Sequence, residues 1–171
     1  AASDVYKRQF FGCDYIVSSI GEAHLKDNAV ADNETVAGYI AALVPHLEQY
    51  NLKLVLETHG AEHGTGKVLS EIVKLVGSER VKVNYDTANV IFYGRVNPCE
   101  DLADCMEDVA YMHLKDKAGA DDAWDFPAVG KGKVDFPAIF RQLEEAKNDC
   151  PFSIEIEFTA AGPKDLDEVN K

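Results

Sequence analysis

The sequence predicts an α/β fold: five consecutive units of a (β/α)8 TIM barrel, with three N-terminal units missing. Three observations predict it. First, short apolar runs alternate five times with segments of helical periodicity, the pattern of βαβ units and a parallel sheet. Second, at about 30 residues each, five units account for 171 residues, whereas a closed barrel of eight needs about 250. Third, the apolar runs end on acidic or imidazole side chains. Residues 53–56 run into Glu57, 81–85 into Asp86 and 109–112 into His113, while 152–156 carry Glu155 and lead to Glu157. Ligand candidates at four strand ends fit a ring better than the crevice of an open doubly wound sheet, the competing fold. No Gly-rich fingerprint follows any of the strands.

The elements follow in order. Residues 1–9 lack periodicity and read as a non-native or disordered leader; 10–171 then form the C-terminal part of one barrel domain. Residues 13–18 read as the first strand and 19–33 as a loop. Residues 34–50 place Val36, Ile40, Leu43, Val44 and Leu47 at helical spacing. Pro45 should kink that helix, because it removes a backbone donor. Residues 52–56 read as the second strand. Thr65 or Gly66 opens a helix with Val68, Leu69, Ile72, Val73 and Val76 on one face, and Gly77 suits its C′ position. Residues 81–85 read as the third strand. Pro98 sits in the first turn of a short helix with Leu102 and Met106 inward. Residues 109–114 read as the fourth strand. The connection 118–133 is long and rich in Gly, Ala and Asp, the character of a lid; Trp124 and Phe126 in it either cover a bound molecule or pin the loop to the barrel, the second being preferred. Asp135 caps a helix with Pro137 in its first turn and Ile139, Phe140 and Leu143 inward. Residues 152–158 read as the fifth strand, and 163–171 begin another helix.

Bulk properties exclude several function classes. The formal net charge of −13 argues against nucleic acid and anionic membranes, because phosphate contacts need clustered Lys and Arg. No apolar stretch approaches the roughly 20 residues that span a bilayer. Cys13, Cys99, Cys105 and Cys150 form no CxxC and no dense framework, so reduced thiols in a cytoplasm are the simplest reading. Gly64-Thr65-Gly66-Lys67 looks like a phosphate cradle, but the Walker spacing fails and no Ser or Thr follows Lys67; a helix start is the better reading.

Five segments carry a resemblance: Leu56-Glu57-Thr58-His59-Gly60, Asn84-Tyr85-Asp86-Thr87-Ala88-Asn89, Met112-His113-Leu114-Lys115-Asp116, Gly130-Lys131-Gly132 with Asp135-Phe136, and Ile154-Glu155-Ile156-Glu157. In this order and spacing the chain, from about residue 10 to the end, resembles the sugar phosphate isomerase/epimerase family. This is the xylose-isomerase-like barrel group that includes ketose 3-epimerases, hydroxypyruvate isomerase, inosose dehydratase and AP-endonuclease-type enzymes. The resemblance implies that these are strands four to eight of the barrel. It also implies a divalent ion (Mn²⁺, Co²⁺ or Mg²⁺) held by Glu57, Asp86, His113 and a last-strand glutamate. That glutamate is Glu155 or Glu157, which share a face because they are two apart; distance from the preceding turn favours Glu155. Where ketose 3-epimerases tend to place a histidine three residues after the aspartate ligand, this chain has Asn89, which bonds a hydroxyl but does not titrate. The acidic charge and few histidines speak against the AP-endonuclease members.

The same residues allow one chemistry. Several carboxylates at one barrel mouth raise each other's pKa until some protonate, unless a cation joins them. A divalent ion acts as a Lewis acid on a ketose, making the carbon-bound proton removable. Glu57 and Glu155, on opposite sides of that carbon, remove the proton from one face and return it to the other through an enediolate. His59, His63, Asn89 and Lys115 are candidate substrate contacts. Each also has a bland reading: a rim hydrogen bond for His59, a solvated loop for His63, an ion pair with Asp116 for Lys115. His24 and His46 read as structural or exposed. The expected activity is isomerisation or epimerisation of a small sugar or sugar phosphate, with a lyase of the inosose dehydratase type or an inactive metal-binding fragment as alternatives. Two open sheet edges, at 13–18 and 152–158, allow a homo-oligomer and make the 171 residues alone an expected inactive piece.

Overall fold

The computed structural model describes residues 12–20 and 31–157. The readings for the leader 1–9, His24, Phe158 and the helix at 163–171 lie outside the described residues. The elements are β1 (Tyr15–Ser18), α1 (Asn33–Ala41), α2 (Val44–Gln49), β2 (Lys53–Glu57), α3 (Gly66–Val76), β3 (Val81–Asp86), α4 (Asn89–Phe92), α5 (Pro98–Cys105), β4 (Val109–Leu114), α6 (Phe136–Ala146) and β5 (Phe152–Ile154), with a 3₁₀ turn at Met106–Asp108. The strands form one sheet in the order β1-β2-β3-β4-β5, every pair parallel. A doubly wound sheet would reverse its strand order at a switch point; this one never does.

The sheet is curled. Strands β1 and β4 have two others between them, which in a flat sheet separates them by about 14 Å at ~4.8 Å per strand. Yet the rings of Tyr15 and Tyr111, one on each, lie with centroids 5.4 Å apart. They meet across the concave side, so this is part of a TIM barrel. Alternate strand residues such as Leu54, Leu56, Val81, Val83, Tyr85 and Met112 point outward into a core shared with Leu69, Ile72, Leu102 and Ile139 of the helices. The other parity (Val55, Glu57, Asn84, Asp86, Tyr111, His113) lines the concave side.

Three local outcomes differ from the sequence reading. Residues 34–50 are two helices rather than one kinked helix. A proline in a helix clashes with the carbonyl four residues back, which for Pro45 is that of Ala41, and α1 stops there. Leu43 N–H turns to the Ile40 carbonyl (2.9 Å), and Pro45 lies in the first turn of α2. Phe140 is not inward: it is 40 % exposed and stacks on Phe136 and on Phe152 of β5. The fifth strand ends at Ile154, although Glu155 N–H still reaches the Leu114 carbonyl at 3.1 Å.

Residues 64–67 are a helix start. Thr65 caps α3 through its hydroxyl, and both oxygens of buried Asp101 take the Gly66 and Lys67 N–H groups (2.7 and 3.2 Å). A carboxylate already occupies the position a phosphate would need. Among the described residues no helix is long and apolar enough to cross a membrane, and the four cysteines are free thiols.

Candidate metal centre and active site

Glu57 closes β2, Asp86 closes β3, His113 is the penultimate residue of β4, and Glu155 follows β5. Pairing sets Glu57 level with Asn84, and Asp86 level with His113. The last match depends on a register shift. Val83 pairs with Val109, but Asn84 pairs with Tyr111, so β4 carries one extra residue. Without that shift Met112 would stand beside Asp86, and a one-residue slip turns every side chain to the opposite face. The irregularity is what brings the His113 imidazole to the concave side.

Two threonines, each directly after a ligand candidate, fasten the strand ends. Thr58 Oγ1 accepts the Asp86 N–H (2.9 Å), and its own N–H goes to the Asn84 carbonyl (3.1 Å). Thr87 Oγ1 accepts the Lys115 N–H (3.0 Å) and donates to the Lys115 carbonyl (2.6 Å). Both are fully buried. Sequence reasoning missed them; the available signal was the recurrence of Thr after the carboxylate in Glu57-Thr58 and Asp86-Thr87.

Glu57, Asp86, His113 and Glu155 each offer one atom to a group in which all lie within 4.8 Å of one another. His113 Nδ1 is 2.7 Å from Glu155 Oε2, 3.3 Å from Glu57 Oε1 and 3.9 Å from Asp86 Oδ2. Asp86 Oδ1 accepts the Ala88 and Asn89 N–H groups (2.9 and 2.8 Å), starting α4, a helix the sequence reading did not contain. Among the described residues, Asp86 Oδ2, fully buried, has no hydrogen-bond partner. An orphaned carboxylate oxygen costs roughly 1–3 kcal/mol or more, and this one lies 3.9 Å from His113 Nδ1.

The electrostatics describe a site short of positive charge. Burial pushes the Asp86 carboxyl up to about 7, with Lys115 opposing and Glu155 and Glu57 adding to the rise. Burial would lower His113, but the carboxylates of Glu155, Glu57 and Asp86 beside it raise it to about 10. The His113 imidazole 2.7 Å away holds Glu155 down at about 2, against burial and with help from Lys115. The donor set of three carboxylates and one imidazole suits a hard or borderline divalent ion, and such an ion supplies what the orphaned oxygen lacks. The residues therefore fit a metal. His113 Nε2 lies 3.1 Å from the Asn84 amide, a partner that orients the ring of a ligating histidine.

Four further residues were singled out as substrate contacts. His59 Nε2 meets the Tyr93 hydroxyl at 3.1 Å, with the two rings stacked at 4.6 Å. His63 is buried rather than solvated, and burial lowers its pKa. Asn89 is buried; its Nδ2 donates to Glu57 Oε1 at 3.3 Å and its Oδ1 accepts from Lys115 Nζ at 3.4 Å. Lys115 pairs with Glu155 and Glu157, both at 2.8 Å, and not with Asp116.

Asp116 instead holds the long connection after β4. Its Oδ1 takes the Lys117 and Val134 N–H groups, and its Oδ2 those of Gly130 and Gly132 (2.8–3.2 Å). A Cβ on Gly132 would strike the Asp116 carboxylate and the Lys117 carbonyl, which explains the glycine there. Phe126 is buried under Lys115, its ring 4.6 Å from Nζ, and so pins the loop. Trp124, 54 % exposed, stands edge-on to Phe92 and Phe126. Asp116→Asn should release two of the four N–H groups, at about 1–3 kcal/mol each if left unpaired. Trp124 is the sole tryptophan, so its emission should shift to the red and lose anisotropy; an unchanged spectrum would show that Asp116 does not hold this loop.

The model of one protein family, the xylose isomerase-like TIM barrel, matches residues 9–169. The chain belongs to the xylose isomerase-like TIM barrel family. Among solved structures, this family member is similar to a xylose isomerase domain protein from Planctomyces limnophilus (27% identity, TM-score 0.70, 90% of this chain and 59% of that one). It is also similar in fold to the IolI protein with a bound zinc atom (20% identity, TM-score 0.77, 90% and 57%) and to an L-ribulose 3-epimerase (16% identity, TM-score 0.75, 99% and 57%). The chain thus spans under two thirds of the length of each. No curated protein matches it in sequence.

Proposed function

We propose that this family member is a divalent-metal-dependent isomerase or epimerase of small sugars or sugar phosphates. The observation that carries the reading is the four-residue cluster with its orphaned Asp86 oxygen. Glu57, Asp86, His113 and Glu155 would hold the ion, Mn²⁺, Co²⁺ or Mg²⁺. When bound, the ion supplies Lewis-acid polarisation of the substrate's oxygens, which acidifies the adjacent C–H.

The chain's own residues do the rest. Glu57 from the end of β2 and Glu155 from beyond β5 both approach His113 Nδ1 on the concave side. One carboxylate takes the proton from the substrate carbon and the other returns a proton on the opposite face, by way of an enediolate. Asn89 restrains Glu57 through its amide, which keeps that base in one orientation. His59, backed by the Tyr93 hydroxyl, and His63 are the proposed contacts to substrate hydroxyls. The rings of Phe92, Tyr93 and Phe126 pack on one another, and Phe126 covers the Lys115 ammonium beside Glu155.

Chelator-treated protein should lose exchange of the substrate's carbon-bound hydrogen with solvent deuterium, and added Mn²⁺, Co²⁺ or Mg²⁺ should restore it. Undiminished exchange in demetallated protein would remove the metal from the reaction. Product analysis in the same assay separates epimer or isomer from the dehydrated product of a lyase.

A further inference from the structure

We propose that Lys115 decides which of the two glutamates beyond β5 enters the metal centre, holding Glu155 in it by a single oxygen and Glu157 out of it. The inference rests on the metal reading above. Glu155 keeps the parity of Ser153, which pairs with His113 on the concave side, and Glu157 reaches the same Lys115 ammonium, so both carboxylates stand beside the cluster. Backbone direction cannot choose between them, yet only Glu155 belongs to the four-residue cluster.

The choice lies in how the Lys115 ammonium spends its three donors. Nζ donates to Glu155 Oε1 and to Glu157 Oε1, each at 2.8 Å, and to Asn89 Oδ1 at 3.4 Å. The Phe126 ring covers it at 4.6 Å, and the side chain is 4 % exposed. No donor is left for a substrate hydroxyl or phosphate, so Lys115 is a positioning residue. Its bond to Glu155 Oε1 leaves Oε2 as the oxygen that faces His113 Nδ1 and the cluster. Its bond to Glu157 gives that carboxylate a countercharge of its own. With a divalent ion bound, four carboxylates (Glu57, Asp86, Glu155, Glu157) would be shared between that ion and the Lys115 ammonium. Without the ammonium, Glu157 loses the countercharge it has here, and its carboxylate would become available to the ion as an added ligand.

The test is a double-mutant cycle read by Mn²⁺ affinity, from the electron paramagnetic resonance signal of free Mn²⁺ and without substrate. In the unsubstituted chain, Glu157→Gln should change the Mn²⁺ dissociation constant by less than about twofold. In the Lys115→Met background the same change should weaken binding by about tenfold, the coupling expected of groups in direct contact. Lys115→Gln, which keeps an N–H donor and much of the side-chain volume, should show the same direction and serves if Lys115→Met does not fold. An equal effect of Glu157→Gln in both backgrounds would overturn the assignment, because Lys115 would then not control Glu157. Mn²⁺ binding without this coupling overturns the Lys115 proposal alone; no Mn²⁺ binding by the unsubstituted chain overturns it together with the metal reading.

Discussion

Glu57→Gln should abolish exchange of the substrate's carbon-bound hydrogen with solvent. A positioned general base contributes about 10²–10⁴-fold, and Glu57 is also one of the four cluster residues, so the loss should reach the upper end of that range. Gln keeps the shape and the bond to Asn89 while removing the negative charge, which separates chemistry from packing. Glu155→Gln should be as damaging, because its Oε2 faces His113 and its Oε1 is fixed by Lys115. Glu157→Gln should cost much less, since Glu157 touches Lys115 and lies outside the cluster. Deuterium incorporation followed by NMR distinguishes the three. If Glu157→Gln stops exchange and Glu155→Gln does not, the two glutamates have been assigned in the wrong order.

The second large effect is on association. Among the described residues, β1 and β5 each have a neighbour on one side only. An edge of this kind offers unpaired N–H and C=O groups to another strand. Beside it, Phe152 and Ile154 are 53 % and 61 % exposed, next to half-exposed Phe140. The purified 171-residue chain is therefore expected to self-associate through these edges. Light scattering checks this. A monodisperse, cooperatively folding monomer would contradict the edge argument.

Much of the fold and of the candidate site was legible because both rest on parity and spacing. A buried parallel strand reads as a short apolar run, and a polar side chain at its end stands out against that run; the strand-end positions of Glu57, Asp86 and His113 were visible in this way. What stayed hidden depends on neighbours distant in sequence. The extra residue in β4 that turns His113 beside Asp86 leaves no trace in Val109–Leu114, since only pairing with β3 defines it. The Lys115 partners lie 40 and 42 residues further on, so the sequence offered only a substrate contact or the adjacent Asp116 as readings for it. His63 sits among Gly and Glu residues that suggest a solvated loop, but packing buries it. Pro45 was read as a perturbation, and the structure makes it a boundary, because the chain gives up the blocked turn at Ala41.

The claim on which the rest depends is that four strand ends build one metal centre. Mn²⁺ titration of metal-free protein, compared with Asp86→Asn, tests it most directly. Asp86 is fully buried, with one oxygen committed to backbone N–H groups and the other unpartnered. An amide in its place would still accept those N–H bonds while its second atom becomes a donor unfit for a cation. The account predicts one Mn²⁺ bound per unsubstituted chain and at least about 100-fold weaker binding in the variant. A chain that binds no Mn²⁺, or binds it equally well after Asp86→Asn, would contradict it.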